Sequence, residues 1–270
     1  MRSSPIPRGV FLAIHSARQA LFDPVMLAMA VVEIAIVLML ALGLGLEFEG
    51  EDIVGLTLFG RIAIPEVGFL VKALLPRWIQ TATYLFILAE IALAATRWTE
   101  LLSDPRLEIL LTAGVGRSEA ILWNMIGGIA AFWLHLIALP VATGCLLVWK
   151  GWGGSVAAFV PGGASLIWWA AVVFCWSFLI TMVTGHHMSV LVTLTALFLV
   201  LGPLLGSVQS SGRPMIAALT LIIPPVQRMS EWTTSVLLRT TLPDLPLMPT
   251  VITPIACFMA GLRMFQKSDL

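Results

Sequence analysis

The sequence predicts an all-α polytopic membrane protein with six transmembrane helices, and three observations predict it. The first is composition: 59% of the 270 residues are hydrophobic and 11% charged, with a mean hydropathy of +0.99. Soluble domains run at about 45–50% apolar and about 25% charged. A soluble core of this size cannot hide so much apolar surface, so lipid is the solvent for much of it. Second, the apolar residues gather into runs of the length a bilayer core requires, roughly 20 residues per helix. Third, tryptophans stand near the ends of those runs, as an interfacial belt places them.

The elements follow in order along one domain covering 1–270. Residues 1–24 form an amphipathic lead-in. Within "PRGVFLAIHSARQALFDP", Val10, Ile14, Ala17 and Leu21 make an apolar helical stripe, with Arg8, His15, Arg18 and Gln19 largely off it. Such a helix lies in the membrane interface, and Pro24 turns the chain inward. The spans are read at 25–46, 79–97, 121–149, 164–184, 189–207 and 248–265. The first run is too long for a signal core and lacks a convincing cleavage site, so it is expected to stay as an anchor. "GHHM" (Gly185–Met188) makes a tight hairpin between the fourth and fifth spans. Trp78, Trp98, Trp123, Trp149, Trp168 and Trp169 mark span edges, while Trp133 and Trp176 lie deeper as packing residues. Segment 208–247 contains "PMIAALTLIIPP", apolar but too short to cross, and reads as an external, re-entrant segment before the last span.

Six spans put both termini on one side. With the termini inside, Arg2, Arg8, Arg18, Arg97, Arg106, Arg117, Arg263 and Lys267 fall in the cytoplasm. Arg61, Lys72, Arg77, Lys150, Arg213, Arg228 and Arg239 fall outside, mostly in two long loops that count less than short segments. The acidic "EFEGED" cluster (Glu47–Asp52) opens the first of those loops. The expected arrangement has both termini cytoplasmic.

Charge concentrates in 98–120, the cytoplasmic connection between the second and third spans. Asp104-Pro105 is a helix start, an acidic cap followed by proline at the first helical position. "RLEILLTA" continues as a short amphipathic helix that Gly114 and Gly116 end. A short helix between such breaks, lying across the membrane face, suits docking into a groove on another protein. Leu107, Leu110 and Leu111 are the expected grip, with Arg106, Glu108 and Arg117 setting orientation.

Several chemistries lack their parts. The net charge is zero, with no basic face for nucleic acid. There is no phosphate-binding G-x-x-x-x-G-K-[ST], no G-x-S-x-G nucleophile turn and no H-E-x-x-H metal helix. Cys145, Cys175 and Cys257 lie in apolar runs without metal-ligand spacing. His186 and His187 are adjacent and point to different faces. Two carboxylates, Glu33 and Glu90, sit inside spans, where a charge costs about 2.5–3.5 kcal/mol and usually faces protein or a water-filled cavity. They line a substrate route or hold a proton, or else join helices through His135 or Asn124; His135 in turn is a ligand or proton carrier or a packed, hydrogen-bonded residue, so Glu33, Glu90, Asn124 and His135 are the candidate polar residues of a translocation path.

"LEILLTAGVGRSEAILWNMIG" resembles the signature of the type-2 ATP-binding-cassette exporter permeases. Leu107-Glu108-Ile109-Leu110-Leu111 matches the family's leucine block, and Gly114-Val115-Gly116-Arg117 stands where that family carries Pro-Val-Ser-Arg. Ile121-Leu122-Trp123-Asn124 replaces the next helix start, with asparagine for the usual lysine. "ARQALFDP", "IIPPVQR" and the ending "RMFQKSDL" are similar to the family's lead-in, its apolar-proline segment and its terminus. The resemblance implies a permease subunit, not itself an enzyme, in a prokaryotic plasma or inner membrane. It implies dimerisation with a second copy or a related permease, and two soluble ATPase subunits as partners. No cofactor would bind this chain directly; ATP and magnesium would be used by the partner. The short helix would be the coupling helix, and export the usual direction. Two other classes fit the residues: a proton-coupled secondary transporter using Glu33 or Glu90, and a non-transporting assembly factor. Secondary transporters commonly carry internal repeats, and no clear repeat links the halves here.

Overall fold

The computed structural model describes residues 8–49, 52–58, 60, 62–64, 67–112, 114–151, 156–160, 167–208, 214–223, 226–238 and 247–267. For some of these, including 67–83 and Arg106, only the backbone is described. The expectations for Trp78, for the Arg106 side chain and for much of the segment before the last span therefore fall outside the described residues.

The chain is helical nearly throughout. Helix α1 spans Arg8–Leu21 and α2 spans Pro24–Gly43. After a small sheet come α3 (Val67–Ser103), α4 (Pro105–Thr112) and α5 (Arg117–Trp149). Helix α6 is Ile167–Thr184, and α7 (His187–Thr195) runs through a π-turn at Ala196–Leu201 into α8 (Gly202–Val208). Two short helices, α9 (Pro214–Ile222) and α10 (Val226–Leu238), precede a π-turn at Met248–Ile252 and α11 (Thr253–Lys267). Among the described residues, five stretches are long and apolar enough to cross a bilayer: Pro24–Gly43, Arg117–Trp149, Ile167–Thr184, His187–Leu205 and Met248–Lys267. The expected second span, 79–97, lies within α3.

Two features depart from the sequence expectation. Helix α3 begins at Val67 and continues through Pro76, although Lys72 and Arg77 were expected in a long external loop. Intramembrane helices tolerate proline when neighbours satisfy the freed carbonyl. The all-α expectation also misses a three-stranded antiparallel meander of β1 (Leu44–Glu49), β2 (Asp52–Leu58) and β3 (Ile62–Ile64), in that order. Its first turn falls in the acidic cluster, where Glu49 faces Asp52, and the register shifts between Glu47 and Phe48.

The core forms where α6 packs between α3 and α11. Trp98 is only 2% exposed; its indole N–H donates to the Phe174 carbonyl (3.1 Å), and its ring lies 4.6 Å from that of Phe178. Phe178 in turn meets Phe258 at 5.5 Å. Gly261 lets α11 approach so closely that an added Cβ would sit 2.9 Å from the Phe178 ring. Trp98 and Trp169 are thus core residues rather than belt residues, whereas Trp149 and Trp168 are exposed. The hairpin turn holds as expected: Gly185 adopts φ +69° and donates to Thr181 (2.8 Å), and His186 and His187 are exposed.

Candidate functional site

The charged connection folds into a self-contained unit. Asp104 donates its N–H to Leu101 to end α3, and Leu107 donates to the Asp104 carbonyl (2.9 Å) to begin α4. At the other end Gly114, at φ +84°, donates to Leu111 (3.2 Å) while Val115 donates to Leu110 (3.1 Å). This paired pattern is a Schellman motif, and the left-handed residue it requires is glycine here. Gly116 is extended and accepts from Ala120 (2.9 Å), starting α5.

Which face α4 presents differs from the expected grip. Leu107 is 2% exposed and belongs to the core; Leu111 packs against it, and Leu110 is half-buried. Glu108, Ile109 and Thr112 point outward, with Ile109 65% exposed. Leu107 anchors the helix, and Ile109 is the apolar side chain offered to the surroundings. Arg117 is engaged within the chain. Its Nη1 donates to the carbonyls of Phe265 (3.1 Å) and Gln266 (3.3 Å), and its guanidinium lies 5.9 Å from the Phe265 ring centre. Gln266 donates from Nε2 to Ser118 Oγ (2.7 Å). A cation on the last carbonyls of a helix satisfies acceptors that have no intrahelical partner and complements the helix dipole. The start of α5 is thereby fastened to the end of α11.

A second polar knot ties α1 to α3 and α5. Ser16, 1% exposed, reaches Asn124 through Oγ, at 2.9 Å from its carbonyl and 2.7 Å from Oδ1. Arg97 Nη2 donates to the Ser16 carbonyl (3.1 Å), to Ser16 Oγ (3.2 Å) and to Gln19 Oε1 (3.4 Å). Small residues allow the contact: a Cβ on Gly9 would strike the Trp123 indole, and one on Gly127 would strike the Ala13 carbonyl and lie 2.7 Å from Ser16 Cβ. The inward face of α1 is therefore Gly9, Ser16 and Ala20, while Val10, Phe11 and Ile14 are exposed. Sequence periodicity found the stripe but not its direction. In lipid, apolar bulk carries no inward drive and small residues win the helix contact.

The intramembrane carboxylates separate. Helix α2 buries only Met26, Met29, Glu33 and Gly43, so Glu33 lies on its narrow packed stripe. Glu33 Oε2 is 3.1 Å from His135 Nδ1 on α5, with the two side chains 11% and 13% exposed. The other oxygen, Glu33 Oε1, is buried with no partner. Glu90 on α3 is 1% exposed, and its Oε1 likewise has no partner. Asn124 serves the Ser16 knot instead. Of the four polar residues singled out from the sequence, the structure pairs Glu33 with His135 and brings neither Asn124 nor Glu90 into that contact. Sequence reasoning missed the roles of Ser16, which lies on the small-residue face itself, and of Gln19, which it placed only off the apolar stripe. Among the described residues no group of three or more His, Cys, Asp or Glu is placed to hold a metal.

No family model matches the chain, and no curated protein matches it.

Proposed function

We propose that this chain is the membrane-spanning permease subunit of an ATP-driven exporter, powered by a separate soluble ATPase that docks on α4. The observation that carries the reading is α4 itself. It is an eight-residue helix, closed at both ends, that joins two long helices and turns Glu108, Ile109 and Thr112 outward from a Leu107 anchor. A free loop would yield under a partner's push; a helix locked to its neighbours passes displacement on. The Arg117 clamp supports this, because it links the element after α4 to the last helix.

In this reading α3 supplies the sixth span beside the five apolar stretches, and both termini and α4 face the cytoplasm. The exposed Val10, Phe11 and Ile14 of α1 meet lipid at the interface, and the segment holding α9 and α10 dips into the outer membrane edge. The protein works as a dimer, with itself or a related permease. ATP and magnesium are bound by the ATPase alone.

The test is purification under mild conditions from native membranes. A soluble ATPase is expected to co-purify, with hydrolysis lost when it is stripped away. Purified chain without such a partner, moving cargo under a proton gradient in ATP-free vesicles, overturns the proposal in favour of a proton-coupled transporter. The unmet carboxyl oxygens of Glu33 and Glu90 favour that second reading.

A further inference from the structure

The Glu33–His135 contact leaves something undone. A buried hydrogen-bonding atom without a partner is rare in folded proteins and calls for an explanation such as a ligand or ion. Glu33 Oε1 is such an atom, at the end of a side chain whose other oxygen is held by His135 at 3.1 Å. Nδ1–H of a neutral histidine can donate to a carboxylate oxygen as well as that of a charged one, so the contact accounts for Oε2 and leaves Oε1 unmet. Among the described residues neither lysine nor arginine forms an ion pair with Glu33.

The surroundings indicate how the site is reached. The helix carrying Glu33 is the least enclosed of the five apolar stretches. Its neighbouring residues Val31, Val32 and Ile34 are each more than half exposed. Glu33 and His135 keep 11% and 13% of their side-chain surface open at the seam of α2 and α5, while Oε1 itself is covered, so the seam must part for a ligand to reach it. In a membrane that seam opens onto acyl chains, so what enters must be lipophilic; what satisfies an unmet carboxyl oxygen must carry a hydrogen-bond donor, and a cationic donor makes the strongest such bond.

We propose that the Glu33–His135 pair is a binding site for a lipophilic ammonium compound, entered sideways from the bilayer between α2 and α5. The ammonium donates to Glu33 Oε1 while His135 holds Oε2 in place, and the alkyl portion lies along the exposed apolar face of α2. This deepens the exporter reading by naming a cargo class, and it rests on that reading only for the statement that bound compound is moved.

The test is equilibrium binding of radiolabelled dodecylammonium to the purified full chain, with its ATPase where one co-purifies, in zwitterionic nanodiscs, with partition into empty nanodiscs subtracted. Saturable binding is expected, weakened at least about tenfold by Glu33→Gln, which is near-isosteric, and unchanged by Glu231→Gln on α10. Dodecyltrimethylammonium, which has the charge without N–H donors, is expected to compete more weakly, and dodecanol weakest. A melting curve run on each variant separates lost binding from lost fold. Binding unaffected by Glu33→Gln, dodecanol competing as well as the amine, or no saturable binding by a wild-type chain that melts cooperatively each overturns the site. Co-purification of the ATPase is read separately, so the site and the exporter reading fail independently.

Discussion

Leu107 and Ile109 stand two residues apart on one short helix, and the structure buries one and exposes the other. Leu107 is 2% exposed, so Leu107→Ala leaves a cavity and is expected to destabilise by about 2–5 kcal/mol. Ile109 is 65% exposed, so Ile109→Ala is expected to shift stability by no more than about 0.5 kcal/mol. In the exporter proposal its effect belongs to docking. The substitution removes three carbons, worth about 0.8 kcal/mol each when taken out of water, or about 2.4 kcal/mol in all. Scaled by the 65% of the side chain still open to a partner, that gives about 1.6 kcal/mol, roughly a fifteenfold weaker Kd at each α4. The assay is titration of the co-purifying ATPase, labelled with a fluorophore, onto nanodisc-embedded chain, with a thermal melt of the same samples. A Kd within about twofold of wild type removes α4 as the docking element. A melt depressed as far as that of Leu107→Ala refutes the division of faces itself.

Arg117→Ala removes the donors to the Phe265 and Gln266 carbonyls and the ring contact with Phe265. Helix-end charge is worth about 0.3–1 kcal/mol and an exposed cation–π contact about 0.5–1 kcal/mol. Backbone amides of the last turn of α11 should exchange hydrogen up to about thirtyfold faster, with Arg117→Lys restoring only part of the protection; an unchanged rate removes the clamp. Gly127→Val drives a branched side chain into the Ala13 carbonyl and Ser16 and should lift α1 off α5. Trypsin would then cut at the exposed Arg18 faster than in wild type. Gly116→Ala is the control, since Gly116 has φ −66° and its nearest neighbour to an added Cβ is Glu119 at 3.8 Å, and no change in cleavage is expected.

The five long apolar helices were legible because a bilayer imposes a length and a polarity that a sequence cannot disguise. The caps of α4 were legible for a local reason: Asp104-Pro105 and Gly114 act within one turn of themselves. What stayed hidden depended on which side of an element touches protein. A stripe of Val10 and Ile14 reads the same whether it meets lipid or a neighbouring helix, and here it is exposed while Ser16 and Ala20 are packed. The same ambiguity exchanged Leu107 and Ile109. Trp98 was placed at a membrane edge because it ends an apolar run, yet Phe174 and Phe178 on a distant segment enclose it. The Glu33–His135 contact was one of two partnerships the residues allowed, and only the helix packing chose between His135 and Asn124. Strand pairing among 44–49, 52–58 and 62–64 was lost in a region read as the end of the first span and a long loop opened by an acidic cluster, since three short strands carry little periodicity.

The fastening of α4 explains why its neighbours matter more than its own few contacts. At about 1.5 Å per residue, α3 and α5 are roughly 55 and 50 Å long, both beyond a hydrocarbon core of about 30 Å. Each is tied to a third helix close to α4. On the α3 side, Arg97 holds α1 and Trp98 holds α6; on the α5 side, Arg117 holds α11. Helix α1 closes the circuit, because Ser16 is bonded to both Arg97 of α3 and Asn124 of α5. Under the exporter proposal, a push on Ile109 meets α1, α3, α5, α6 and α11 as one body. The element left out is α2, which buries little besides Met26, Met29 and Glu33 and has His135 as its polar hold on the bundle. Relative motion is cheapest where packing is thinnest. If a displacement of α4 opens any seam in this chain, it is the one between α2 and α5, where the unmet oxygen of Glu33 lies.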